Sequence, residues 1–140
     1  MIFVDTNVIV DVLQDDEQWA AWSIDRLCEG RADGDLIVNA VVVAELSRDF
    51  PHVAALRTAL ARFSILFEHL DDIAAFLAGQ RFAEALRNRP TGGQKRPLPD
   101  FFIGAHAMTL GIPLLTRDPR LYRRFFPELT LITPETDHDD

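Results

Sequence analysis

At 140 residues, with 48% hydrophobic and 26% charged residues, the chain has the size and composition of one folded domain rather than of a disordered polymer. Its single cysteine, Cys28, excludes an internal disulfide and the framework of a small secreted protein, so a reducing cytoplasm is the expected setting. The net charge of −8 weighs against phosphate binding through bulk electrostatics, and the chain lacks both a signal-peptide pattern and the roughly 18 consecutive apolar residues that a membrane span requires.

Ile2-Phe3-Val4 reads as a short buried strand, after which Thr6 or Asn7 is placed to cap a helix running through Val8, Ile9, Val12 and Leu13. Asp5 then stands at a strand's carboxyl end. Trp19, Trp22, Ile24, Leu27 and Cys28 recur at helical spacing and predict a second helix, its Trp pair facing the core or a partner, with a polar turn over residues 30–35. Leu36-Ile37-Val38 reads as a second strand ended by Asn39, and the following helix carries Glu45 before stopping near Phe50-Pro51.

Val53, Leu56, Leu60 and Phe63 form one helical stripe, Ile65-Leu66-Phe67 a third strand, and Ile73, Phe76, Leu77, Ala83 and Leu86 a further helix. Residues 88–99, with three prolines, two glycines and three basic residues, read as an exposed loop that delivers Asp100 to the start of a helix. That helix runs through Ile103, Ala107 and Leu110, stops at Gly111, and is followed by a strand at Pro113-Leu114-Leu115. Asp118 follows this strand as Asp5 follows the first. Thr130-Leu131-Ile132 reads as a last edge strand, and residues 135–140 as a disordered acidic tail behind a single domain spanning 1–134. Alternation of this kind predicts an α/β fold, a parallel sheet covered on both faces with right-handed crossovers.

Four acids therefore stand beside apolar stretches instead of on solvated faces: Asp5, Glu45, Asp100 and Asp118. Ligands of open α/β sheets bind beyond the carboxyl ends of the strands, where strand order reverses, and Asp5 and Asp118 are expected there. Asp100 enters from the first turn of one helix and Glu45 from another. Two like charges about 4 Å apart repel by roughly 4 kcal/mol at an effective dielectric of about 20, so three or four together call for a cation. Oxygen donors without a matched cysteine or histidine cluster suit Mg²⁺ or Mn²⁺, and His52, His69, His106 and His138 lack zinc-like spacing. A carboxylate cage around such an ion is suited to phosphodiester hydrolysis, though acids at strand ends also serve phosphatases and signalling domains.

The basic residues qualify the acidic balance. Arg81, Arg87, Arg89, Lys95, Arg96, Arg117, Arg120, Arg123 and Arg124 place nine of the 14 between positions 81 and 124, around Asp100 and Asp118. A basic rim on an acidic centre and a set of solvated arginine-bearing faces are both open readings.

Asp5-Thr6-Asn7, Glu45 in its Val-rich helix, Asp100 before Phe-Ile-Gly-Ala, and Leu115-Thr116-Arg117-Asp118 after Gly111-Ile112-Pro113 resemble the PIN-domain ribonucleases, and within these the VapC-type toxins of toxin-antitoxin pairs. The resemblance extends over nearly the whole chain. It implies a three-layer α/β/α fold with four to five parallel strands, and a Mg²⁺- or Mn²⁺-dependent endoribonuclease acting on RNA. It also implies a cognate VapB-type antitoxin, a homodimer, and a groove for the antitoxin at the Trp19–Trp22 stripe or the helix from Val53. By position it makes Asp5, Asp100 and Asp118 metal ligands, with Glu45 holding metal directly or through water, or activating the attacking water. Thr6, Asn7 and Thr116 match polar positions that orient carboxylates, and capping is an equal reading for Thr6 and Asn7. Asp11 is expected on a solvated face, and Arg117 either at RNA phosphate or in a surface ion pair. A haloacid-dehalogenase phosphatase also begins with a strand and an Asp, but requires a second Asp where this chain has Asn7. A binding module whose acids hold a structural cation is the remaining alternative.

Overall fold

In a computed structural model, described over residues 1–88 and 98–135, five short strands form one sheet of order β3-β2-β1-β4-β5. The strands are β1 (Ile2–Val4), β2 (Leu36–Val38), β3 (Ile65–Phe67), β4 (Leu114–Leu115) and β5 (Leu131–Ile132), and every ladder is parallel. β1 occupies the centre, Phe3 pairing with Ile37 on one side and Leu114 on the other. An all-parallel sheet is buried on both faces, which is why its central strands read as continuous apolar runs: Phe3, Val4, Leu36, Val38 and Leu114 are fully buried.

The helices are α1 (Thr6–Leu13), α2 (Ala20–Asp33), α3 (Ala40–Leu46), α4 (Val53–Arg62), α5 (Asp72–Arg87), α6 (Leu98–Leu110) and α7 (Arg120–Phe125). From β1 the chain steps outward to β2 and β3, then crosses to β4 and β5 on the other side; α1 packs against α2 and α3, and α6 against α5 and α7. The order reverses between β1 and β4. α6 is buried along most of its length, through Phe101, Ile103, Ala105 and Ala107, and Phe101 packs among Phe82, Phe125 and Phe126 at ring separations of 5.3, 5.4 and 5.7 Å. Burial of each such side chain contributes about 1.5–3 kcal/mol. Gly111, at φ +69°, takes the left-handed conformation that ends α6 and turns the chain into β4.

Several boundaries depart from the sequence reading. Residues 30–33 continue α2 instead of forming a turn, because Gly30 lies against the sheet, where an added Cβ would come within 2.9 Å of Leu36 Cδ2; the helix breaks only at Gly34. Neither Thr6 nor Asn7 caps α1. Asp5 does so itself, Oδ1 accepting from the Thr6 amide at 2.7 Å. α7 was not anticipated. Most of the 88–99 loop, the basic residues Arg89, Lys95 and Arg96, and the 136–140 part of the tail with His138 lie outside the described residues. No helix among the described residues is long and apolar enough to cross a membrane.

Candidate active site

The reversal point between β1 and β4 opens into a cleft of about 270 Å³ whose lining includes Asp5, Thr6, Asn7, Glu45, Arg48, Asp100, Arg117 and Asp118. All four acids singled out from the sequence are thus brought to one site, although 113 positions separate Asp5 from Asp118. Each arrives on a different element. Asp5 ends β1, Glu45 lies in the last turn of α3, Asp100 in the first described turn of α6, and Asp118 in the turn after β4.

Asp5 is 4% exposed and closely held. Its Oδ2 accepts from Thr116 Oγ1 at 2.8 Å, from Tyr122 Oη at 2.9 Å and, at 3.5 Å, from Asn7 Nδ2. Burial pushes the Asp5 carboxyl up to about 6, the hydrogen bonds from Thr116, Tyr122 and Thr6 pull it back, and Glu45 adds to the rise. Glu45 is tied to the same corner, Oε1 accepting from Thr6 Oγ1 at 2.7 Å. Because Asp5 is the cap, the Thr6 hydroxyl is available to Glu45.

The Asp100 carboxyl makes no hydrogen bond among the described residues. Burial first, then the charges of Asp5, Glu45 and Asp118, raise its carboxyl to about 7. The three named charges show that the acids share one field. Asp118 is the most exposed of the four and pairs with Arg120, Nε to Oδ1 at 3.2 Å. Among the described residues no three acidic, histidine or cysteine side chains are already gathered into a coordination cage.

Thr116 and Asn7, singled out beside the acids, both hydrogen-bond within the cleft. Thr116 Oγ1, besides donating to Asp5, accepts from the Asp118 amide at 3.1 Å, so one hydroxyl ties the strand-end acids together. Asn7 spans the β1–β4 gap, its Nδ2 reaching Thr116 Oγ1 at 3.3 Å and its Oδ1 accepting from the Arg117 amide at 3.1 Å. Tyr122, fully buried in α7, was missed. Burial first, then the charges of Asp5 and Asp100, hold its phenol well above the ordinary range, so it stays protonated and donates to Asp5. The spacing of Leu121, Tyr122, Phe125 and Phe126 carries the helical signal that would have placed it. Tyr122→Phe, which keeps the ring and removes one donor, is expected to slow turnover about tenfold with little change in fold, read from cleavage rate beside a thermal melt.

Asp11 is not on a solvated face. At 2% exposure it accepts from Arg117 through both oxygens, at 2.7 and 3.0 Å, and from Ser23 Oγ at 3.2 Å. An eight-residue helix reading Thr-Asn-Val-Ile-Val-Asp-Val-Leu has no polar face to offer water, so its lone central acid is buried with a partner. Arg117 accordingly pairs inward. The described histidines take local roles: His52 accepts from the Ala55 amide at 3.1 Å as the cap of α4, His69 packs edge-on to Phe67, and His106 is buried 3.1 Å from Asn39 Nδ2.

The raised carboxyls make a prediction about stability. Asp5 and Asp100 ionise later in the folded chain than in the unfolded one, whose carboxyls titrate near 3.8, so the folded state holds extra protons from about pH 4 to 7. Stability therefore falls as pH rises through that window. For Asp5 alone the shift is worth on the order of 3 kcal/mol, and since the two acids repel one another their contributions overlap instead of adding. Urea denaturation in chelator is expected to give a higher unfolding free energy at pH 5 than at pH 8.

An α/β sheet with acids at its reversal point defines the class of the protein. The PIN domain family model matches residues 2–126, and the chain belongs to that family. Among solved structures, VapBC2 from Rickettsia felis, bound to a DNA fragment from its promoter, superposes with a TM-score of 0.70 at 18% identity, covering 95% of this chain and 98% of that one. FitAcB from Neisseria gonorrhoeae gives 0.61 at 25% identity, over 96% and 99%. VapC20 from Mycobacterium tuberculosis, a sarcin-ricin loop cleaving toxin, gives 0.52 at 23%, over 80% and 85%. No curated protein matches the chain in sequence.

Proposed function

We propose that the protein is a metal-dependent endoribonuclease, the VapC-type toxin of a toxin-antitoxin pair, held in check by a VapB-type antitoxin. The observation that carries this reading is the convergence of Asp5, Glu45, Asp100 and Asp118 on one cleft of a PIN domain. Further support comes from likeness over 95% of the chain to VapBC complexes, and over 80% of it to a toxin that cleaves the sarcin-ricin loop. The homodimer implied by the family resemblance belongs to the same proposal.

The donor set fits a hard divalent cation: the cleft offers carboxylate, hydroxyl and amide oxygen and, among the described residues, has no cysteine or histidine in its lining. Asp5, Asp100 and Asp118 would hold Mg²⁺ or Mn²⁺, with Glu45 at its edge. When bound, the ion supplies positive charge that offsets the carboxylate repulsion, polarises a phosphodiester and makes a water more acidic. The remaining work belongs to the chain. Thr116, Tyr122 and Asn7 satisfy Asp5 Oδ2, fixing which face of that carboxylate looks into the cleft. Thr6 orients Glu45 through its hydroxyl, leaving the other carboxylate oxygen to accept a proton from an attacking water.

Incubation of purified protein with cellular RNA tests the reading. Discrete cleavage sites are expected with Mg²⁺ or Mn²⁺, none in chelator, and none when a VapB-type antitoxin is added. RNA left intact with either metal would sink it in favour of a non-catalytic binding module.

A further inference from the structure

We propose that Arg117 is a phosphate-binding residue of the RNA cleft and that buried Asp11 is the positioning residue that aims it. The inference rests on the nuclease reading and deepens it. The Arg117 guanidinium is fixed from several directions. Nε and Nη2 fork onto the two oxygens of Asp11, at 2.7 and 3.0 Å, and the guanidinium carbon lies 5.7 Å from the centre of the Trp19 ring. The Arg117 amide is anchored to Asn7, the residue that also reaches Asp5 and Thr116. Asp11 is held in turn by Ser23 of α2.

This side-on pairing leaves Nη1 with no hydrogen bond among the described residues, on a side chain 30% exposed that lines the cleft beside the acids. The pair is neutral as a whole but oriented, with the carboxylate inward at 2% exposure and the guanidinium side chain 30% exposed, on a residue that lines the cleft. Held by its fork, the guanidinium loses little freedom on meeting a phosphate oxygen, and its remaining donors match that partner. Arg48 is the other basic residue of the lining among the described residues, while Arg120 is engaged by Asp118.

Removing Arg117 alone strands a buried carboxylate, so the test uses the neutral pair Asp11→Asn with Arg117→Gln, and separately Arg117→Lys. Fluorescence anisotropy with a short labelled single-stranded RNA, in chelator across a salt series, reads binding without catalysis. The double variant is expected to bind about tenfold more weakly, with a log Kd against log salt slope lower by about 0.7. Arg117→Lys is expected to keep the slope and lose part of the affinity, since it retains charge without the fork. In single-turnover cleavage with Mg²⁺, half-saturation should rise while the saturating rate holds, a split that mere loosening of the fold would not give. Wild-type affinity and slope in the folded double variant would overturn the proposal; if that variant does not fold, wild-type affinity in Arg117→Lys would do so. Wild-type protein that neither binds nor cleaves RNA with Mg²⁺ present would remove the nuclease reading itself.

Discussion

Replacing Asp5 with Asn is expected to lower RNA cleavage by about 10³-fold or more, several kcal/mol of transition-state stabilisation, while leaving the protein folded. Asp5 lies at the focus of the site: it accepts from Thr6, Thr116 and Tyr122, and its charge raises the Asp100 carboxyl. Asn keeps its shape and one acceptor oxygen, and the hydroxyls of Thr116 and Tyr122 can rotate to accept from the new amide. What disappears is the negative charge that would hold a divalent ion. In chelator at pH 8 the variant should be at least as stable as wild type, because burial places the Asp5 carboxyl near 6 and its ionised form is a cost to the fold. Cleavage rates beside urea denaturation check both halves. Near-normal cleavage by the folded variant would remove Asp5 from the site's chemistry, and a clear loss of stability in chelator would assign it a structural role.

Truncating Arg117 to Ala is expected to destabilise the protein by about 3 kcal/mol, because Asp11, 2% exposed, would be left with only Ser23 for company. The partial exposure of Arg117 puts this at the low end of what breaking a buried pair costs. That is a large share of the roughly 5–15 kcal/mol that holds a typical domain together. Adding Asp11→Asn to a neutral Arg117→Gln background should recover at least half of the loss, since the stranded charge is then gone. Denaturant midpoints decide the matter: a loss under about 1 kcal/mol in Arg117→Ala would mean that water reaches Asp11 and the pair is a surface feature after all.

The elements with strong periodicity were legible in the sequence because local and tertiary forces agree there. Ile2-Phe3-Val4 and Leu36-Ile37-Val38 are apolar throughout, as a parallel sheet buried on both faces requires, and the structure places strands at those residues. The convergence of Asp5, Glu45, Asp100 and Asp118 followed from strand ends plus family motifs; spacing alone left other strand-end chemistries open. What the sequence concealed were interactions between elements. Tyr122 reaches Asp5 across 117 positions, a contact that the apolar spacing of its short helix does not announce. Asp11 was read by its charge alone, although the surrounding Val-Ile-Val and Val-Leu leave it no solvated face. Gly30 looked like a turn residue, but its role is close helix–sheet contact, which depends on the position of Leu36.

The claim on which the rest depends is that these acids form one cation site. Calorimetric titration of Mn²⁺ into wild-type protein and Asp100→Asn at pH 8 tests it without reference to RNA. Asp100, its carboxyl raised to about 7 by burial and by Asp5, Glu45 and Asp118, is the acid that its neighbours' charges disfavour most. Saturable binding by wild type and binding at least about tenfold weaker in Asp100→Asn are predicted. Equal affinity in the two proteins, or no binding by wild type, would contradict the account.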